Sequence, residues 1–532
     1  MLTAGSVALL GLSACGQSSD EPSAANGAAS ADQLVLADGS DLGGYNPVNG
    51  YGELGVSPVY EGLVGLKSDD PEKLPSFRPV LAAELPEASD DFTKWTAKLR
   101  KDVKFHNGEP FTGADVVATY NEVLNPNVAS KAASAFEMLK SVESETAEDG
   151  TETVTFTLNY PYPDFNSRLL LGIAPKASLT GGLASESPLN TEPIGTGPYK
   201  LESLQTDKAV WQAFPEYWGE QPKVKTFTVM HVPDDSTRAS RTSAGEFDGA
   251  QIPPALAAMF KDSADYEVVK AKSADWRGLS LPADSVFTKD PQVRVAMNKA
   301  IDRDAIIEKV LAGSGSPAHT PVSSVYDSFD AKATFPYDPE GAKSMLDKAG
   351  WKVGADGIRE KDGEKAGFTL SYSANDTVRR DLATAFADAM KQIGVDITLE
   401  GTSWEKLEPV RKQRAILLGG GDKPYSIDTQ VYNTLHQNVE GTSIWNNPGN
   451  FGSPEMDALL DEARKSGDHG KRDELYKEIQ QKYLENPGYV LIAFLDHNYA
   501  MKKNSYDTGN LIVEPHAHGV NWGPWWNLAS WR

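Results

Sequence analysis

Cysteine is almost absent from this sequence: Cys15 is the single one in 532 residues. No disulfide can close within the chain, and no cysteine-based zinc site or iron–sulfur cluster can be built from it. Long apolar runs are missing too. None reaches the ~18 residues of a membrane-crossing helix, so no such span is expected. Positive charge is scarce, with 51 Lys and Arg against 75 Asp and Glu, a net charge of −24. So acidic a chain lacks the clustered cations that a phosphate backbone demands, and nucleic acid is set aside as a partner. Reaction motifs are lacking as well. There is no Gly-x-Ser-x-Gly elbow, no Gly-x-x-x-x-Gly-Lys phosphate loop, no His-Glu-x-x-His and no EF-hand pattern. Gly195-Thr196-Gly197 runs into Pro198 without the third glycine of a dinucleotide fingerprint. No cofactor is implied. Catalytic groups can converge from distant segments without a local motif, so a secreted hydrolase stays as an alternative.

What is present is enough for large cores: 40% apolar residues, with 11 Trp, 19 Tyr and 18 Phe spread along the chain. The length predicts about three to five domains or subdomains. Met1–Cys15 is small and apolar, the length of a signal-peptide core and too short for an anchor. Its end, Leu12-Ser13-Ala14-Cys15, is similar to the lipobox of bacterial lipoproteins, in which the cysteine becomes the new N-terminus and carries lipid. Residues 1–14 hold no Lys or Arg, so a basic leader is expected upstream of Met1. Residues 16–33 are rich in Ser, Ala, Gly, Asp and Glu; they cannot repay their ordering entropy and read as a flexible tether.

Beyond the tether, strands and helices alternate, which argues for α/β layers. Leu34–Ala37 reads as the first strand. Thr112 and Asp115 form a capping-box pattern ahead of Val116, Val117, Tyr120 and Val123. Asp290-Pro291, Asp338-Pro339 and Ser453-Pro454 each open a helix. Leu382, Phe386, Ala389 and Ile393 mark one helical face that stops at Gly394, and residues 395–399 alternate as a strand. Glu143–Thr157 reads as a hairpin turning near Gly150. His516 and His518 stand at i and i+2, on one face of an extended segment, where they could grip one metal ion or sit as plain loop imidazoles. Trp522, Trp525, Trp526 and Trp531 crowd nearby and fit either a core or a cavity wall.

Several local strings carry a resemblance. They are Leu81-Ala82-Ala83, Trp95–Arg100, Val103–Thr112 with Asp115-Val116-Val117, Gly195–Tyr199, Tyr217-Trp218-Gly219, Val293–Met297 and Ala349-Gly350-Trp351. In this order the chain resembles the extracytoplasmic solute-binding proteins that serve oligopeptide, dipeptide and nickel importers. The resemblance implies a two-lobe, type II periplasmic-binding-protein-like α/β fold with an extra subdomain inserted in lobe I. The implied map is a signal peptide at 1–14, a tether at 15–33, lobe I at 34–275 with the insertion at about 61–190, lobe II at 276–488, and a return to lobe I at 489–532. Crossings between the lobes are expected near Ser273–Arg277 and Tyr489–Asp496. The implied partners are a short peptide or a metal chelate and the permease subunits of an ABC importer. The implied state is a monomer, lipid-anchored on the outer face of the cell membrane, without enzymatic activity.

The ligand residues implied are more open. In dipeptide-type members an Asp after a Gly-rich strand end binds the peptide ammonium, and Gly419-Gly420-Gly421-Asp422 stands at the matching place. Asp422 could equally be a turn residue. Nickel-type members carry a Pro-Tyr here, matched by Pro424-Tyr425. Arg411 and Arg414 are possible anion partners, while Arg379 and Arg380 fall on the expected exposed start of the Leu382 helix. Leu170–Lys176 offers no counterpart of the nickel-type arginine in the inserted subdomain. Trp404, Tyr45 and Asn46 complete the candidate ligand contacts beside Asp422, Tyr425 and Arg411. His516 and His518 are the metal candidates on the chelate reading, and Cys15 is the lipidation site.

Overall fold

The computed structural model describes residues 32–437, 439, 443–503, 506–516 and 519–532. Cys15 and His518, with the expected signal peptide and all of the expected tether but residues 32 and 33, lie outside the described residues. Two large mixed sheets organise the chain. The first has seven strands, in the spatial order Tyr266–Ala271, His497–Lys502, Gly249–Ile252, Gln33–Asp38, Thr226–His231, Lys208–Ala213 and Tyr199–Leu204. Gln33–Asp38 runs parallel to both its neighbours, and the other pairs are antiparallel. The second has six, in the order Gly315–Pro317, Tyr489–Leu495, Trp276–Ser280, Ala415–Gly420, Gly367–Ser373 and Asp396–Thr402. This is the two-lobe α/β architecture.

Local chemistry sets the helix ends. Asp290, Asp338 and Ser453 each accept a backbone N–H of the first turn, with proline just inside. The Asp115 carboxylate accepts from the Thr112 amide at 2.8 Å and its hydroxyl at 2.7 Å. Helix Thr377–Gln392 buries Leu382, Phe386 and Met390, and Gly394 ends the turn at φ 78°. Strand Tyr489–Leu495 is buried along its whole length because it is covered on both faces. Val490 and Ile492 join the core with Met297 and Phe386; Tyr489 and Leu491 face the core with Val431 and Ile479.

Between the first strand and Tyr199 lies a four-stranded antiparallel sheet, in the order Glu87–Ala88, Lys94–Lys98, Glu152–Leu158 and Leu139–Thr146, packed on helix Gly113–Leu124. The strings Gly195–Tyr199 and Tyr217-Trp218 converge on one partly buried carboxylate. The Glu61 carboxylate accepts from Thr196 Oγ1 at 3.0 Å, Tyr217 Oη at 2.8 Å and Trp218 Nε1 at 2.8 Å. Gly195 packs so closely that a Cβ would sit 1.9 Å from the Val59 carbonyl oxygen.

The chain passes between the sheets twice. Strand Tyr266–Ala271 ends in the first sheet, and strand Trp276–Ser280 begins in the second. The sequence map places residues 489–495 in the return to lobe I. Their pairing with Trp276–Ser280 and Gly315–Pro317 puts them in the second sheet, and the chain changes sheets at Asp496. The error is one of reading a fully apolar run, which carries no marker of the sheet it joins. The first strand also starts at Gln33, one residue before the predicted Leu34.

Candidate functional site

A cleft of about 810 Å³ opens between the lobes. Its first-lobe wall comes from Tyr51–Leu54, the Ser130–Met138 region, Arg168 and Trp522. Its second-lobe wall comes from Trp276, Gly419–Lys423, the helix Ile427–Leu435, Trp445 and Arg464. The size suits a ligand of several residues. The Gly-rich strand end is shaped by packing. A Cβ on Gly420 would meet the Trp276 indole at 2.3 Å, and one on Gly421, at φ 94°, would meet the Ala274 carbonyl oxygen at 2.1 Å. This close approach turns the chain so that Asp422 stands exposed in the cleft wall, with no cationic side chain within 4 Å among the described residues.

Polar bonds cross the cleft. Lys423 Nζ lies 3.0 Å from Glu53 Oε2. Arg472 pairs with Asp164 at 2.8 Å, and Ser426 Oγ donates to Asp164 at 2.6 Å. The Tyr162 hydroxyl donates to Asp428 at 2.9 Å, and Arg464 bonds both Asp428 and Glu137. The lobes therefore stand together in this structure.

The two crossings are pinned by a buried cluster. The Asp275 carboxylate meets Arg277 Nη2 at 2.8 Å, His497 Nε2 at 3.0 Å and His516 Nδ1 at 2.7 Å. His497 Nδ1 reaches Glu514 Oε2 at 2.6 Å, where the Tyr499 hydroxyl also donates at 2.7 Å. Burial alone would push the His497 imidazole down, but the Asp275 and Glu514 carboxylates outweigh it and hold it up at about 9. Burial would raise Asp275; the Arg277 and His516 charges beside it win and hold it well below the usual carboxylate range.

Of the candidate residues read from sequence, Asp422 lines the cleft. Tyr425 does not. Its ring is buried in the first-lobe core and its hydroxyl donates to the Val513 carbonyl at 3.1 Å. Trp404 stands one layer behind, edge-on to the cleft residue Trp445 at 5.3 Å, with the Arg379 guanidinium 5.4 Å over its ring. Arg379 is therefore not on an exposed helix start: it is mostly buried and paired with Asp376. Arg411 bonds the Glu408 carbonyl away from the cleft, and Arg414 pairs with Glu400. Tyr45 lies edge-on behind Tyr51 at 5.1 Å, and Asn46 is a cap, accepting from the Val48 amide and donating to the Ala184 carbonyl. His516 is bonded into the Asp275 cluster, and no group of three or more His, Cys, Asp or Glu side chains placed to hold a metal ion occurs among the described residues. The tail tryptophans divide: Trp522 lines the cleft, while Trp525 and Trp531 are buried core. Sequence reading missed Arg168, Asp428 and Arg464, whose partners lie far away in the chain.

No helix among the described residues is long and apolar enough to cross a membrane. Residues 76–442 match the family model described as bacterial extracellular solute-binding proteins, family 5 Middle. The chain is 37% identical over 478 residues to Protein XP55 of Streptomyces lividans, covering 89% of this chain and 86% of that one. It is 27% identical over 431 residues to the oligopeptide-binding protein AppA of Bacillus subtilis, covering 77% of each. Among solved structures, NikZ from Campylobacter jejuni in complex with Ni(L-His) superposes with a TM-score of 0.83 at 27% identity, over 94% of this chain and 99% of that one.

Proposed function

This chain belongs to the bacterial extracellular solute-binding proteins of family 5, and from that premise we propose that it is a lipid-anchored receptor that captures short peptides for an ABC importer. It is a binding protein, not an enzyme. On this reading Cys15 carries the lipid, the cleft takes the peptide between the lobes, and the loaded monomer docks on a membrane permease. The domain map, with residues 489–495 moved to the second lobe and with the signal peptide, tether and inserted subdomain, is part of the same proposal.

One observation carries the peptide reading: Asp422, a carboxylate with no cationic side chain within 4 Å among the described residues, stands at the Gly-rich strand end in a cleft large enough for several residues. A peptide ammonium seated there gains a charge-assisted hydrogen bond. The resemblance to oligopeptide-binding AppA supports it. The likeness to NikZ holding Ni(L-His) favours a second reading, a metal chelate in the same cleft. His516 is a weak metal candidate, because its Nδ1 lies 2.7 Å from Asp275.

Calorimetry separates them. Purified protein is titrated with di- to pentapeptides and with nickel plus free histidine. Asp422→Asn keeps the side-chain shape and removes the charge. It is expected to weaken peptide binding by roughly 30-fold or more, and N-acetylated peptides should bind the wild type poorly. Unchanged peptide affinity in Asp422→Asn sinks the ammonium anchor.

A further inference from the structure

A second cavity, of about 630 Å³, lies wholly within the first lobe. Three stretches far apart in the chain wall it: the hairpin of strands Val64–Lys67 and Ser76–Pro79, the turn Tyr217-Trp218-Gly219, and the C-terminal tail. The tail is tied down across it. Asn510 Nδ2 donates to the Ser68 carbonyl at 3.2 Å, Trp526 Nε1 donates to the Asn510 carbonyl at 3.0 Å, and Arg532 meets Glu220 at 3.2 Å. The cavity shares Val56 and Asn521 with the cleft between the lobes but takes no residue from the second lobe. Its size is that of a small-molecule site.

The wall selects the ligand by its chemistry. Trp218, Trp525, Trp526 and Phe227 supply aromatic surface. Most of the charged side chains in the wall are already satisfied. Arg532 pairs with Glu220, and Lys67 pairs with Asp69 at 2.9 Å. The Glu61 oxygens are taken by Thr196, Tyr217 and Trp218. Arg78 and Arg100 remain, and neither has a carboxylate within 4 Å among the described residues. Each donates its Nε–H to a backbone carbonyl, Arg78 to Leu66 at 3.2 Å and Arg100 to Val80 at 2.5 Å. The Nη groups, four of the five N–H donors on each, have no protein acceptor among the described residues. The Arg100 guanidinium lies 4.8 Å over the Trp218 ring, which holds it in the wall. Arg78, opposite Gly65 in the hairpin, is exposed at the rim. Once the paired groups are counted, two guanidiniums in this wall stand against the one carboxylate of Glu61, in a protein of net charge −24.

We propose that this first-lobe cavity is a second binding site, separate from the cleft, for a small aromatic carboxylate. The ring lies among the tryptophans, and the carboxylate accepts from Arg78 and Arg100. A guanidinium fork matches a carboxylate through parallel N–H···O bonds, and an amine of the same shape is repelled by both cations. Every lining residue belongs to the first lobe, so the site is complete whether the lobes stand together or apart. Its occupation therefore does not draw them together, unlike a ligand in the cleft, where the second lobe supplies one wall.

The probes are 1-naphthoate and its uncharged amide, 1-naphthamide, titrated into the full chain by calorimetry, with small-angle scattering on the same samples. The wild type is expected to prefer the acid by ~10-fold or more, with an unchanged scattering profile. Arg78→Gln, at an exposed strand position where folding is not at stake, should weaken naphthoate binding by roughly 5-fold. Adding Arg100→Gln should bring acid and amide within about two-fold, with a cooperative thermal melt showing that the double variant is folded. Arg168→Gln, in the wall of the cleft, should leave naphthoate affinity unchanged. Equal wild-type affinity for acid and amide, an acid preference that survives the double variant, or no binding of naphthoate overturns the proposal. So does compaction on binding, or loss of naphthoate in Arg168→Gln with none in Arg78→Gln, because either result puts the probe in the cleft.

Discussion

The clamp on His497 makes stability depend on pH in a way that one substitution can isolate. An imidazole free in the unfolded chain titrates near 6.5. In the folded protein burial opposes the charge on His497, but Asp275 at 3.0 Å and Glu514 at 2.6 Å hold the proton until about pH 9. The folded state therefore binds this proton more tightly than the unfolded one. The resulting stability is complete below pH 6.5 and is lost as pH rises through 9. One proton corresponds to at most about 1.4 kcal/mol per pH unit, so the full window is worth on the order of 3 kcal/mol. His106 and His319 act with the opposite sign. Burial pushes both down to about 4, so their contributions are present above 6.5 and fade as pH falls from there towards 4. The three together place a stability maximum near pH 6.5. Urea-denaturation midpoints measured at half-unit steps from pH 5 to 9.5 should show it. His497→Gln should be less stable at pH 6.5, because Asp275 and Glu514 lose the cation between them, and nearly flat from 6.5 to 9. If His497→Gln keeps the wild-type alkaline slope, the two carboxylates do not hold that proton and the reasoning is wrong.

Other expectations follow from particular contacts. Arg464→Met strands the buried Asp428 carboxylate and should cost about 3–5 kcal/mol in denaturation, most of it recovered in the double variant Arg464→Met with Asp428→Asn. Gly421→Ala forces a Cβ to 2.1 Å from the Ala274 carbonyl at a left-handed φ, and should cost at least about 1–3 kcal/mol while disturbing ligand-induced closure, read by scattering. Cys15→Ser should leave the protein unprocessed or release it to the medium, and unchanged membrane retention in fractionated cells would argue against lipid at that position.

Much of this protein was legible along the chain, for reasons that act over a few residues. Caps at Asp290, Asp338 and Ser453, the turn at Gly394 and the hairpin at Gly150 depend on side chains meeting backbone within one turn, so their spelling is local. The α/β class follows from their alternation. The Gly-rich strand end with Asp422 is local too, and it reaches the cleft as its spelling suggests. The binding-protein family is carried by short strings, and two of them are structural: they meet on Glu61. The rest was decided by approach of residues far apart in number. Arg168 looked like one arginine among many until folding brought it to the cleft wall. Asp428 meets Tyr162 across 266 positions. His516, two residues from His518, suggested a metal pair, but Asp275 meets its Nδ1 from 241 positions away. Tyr425 sits in the right motif, yet the tail carbonyl of Val513 holds its hydroxyl inside the core. A charge has a definite role only once its neighbours and its access to water are set, and those are properties of the tertiary structure.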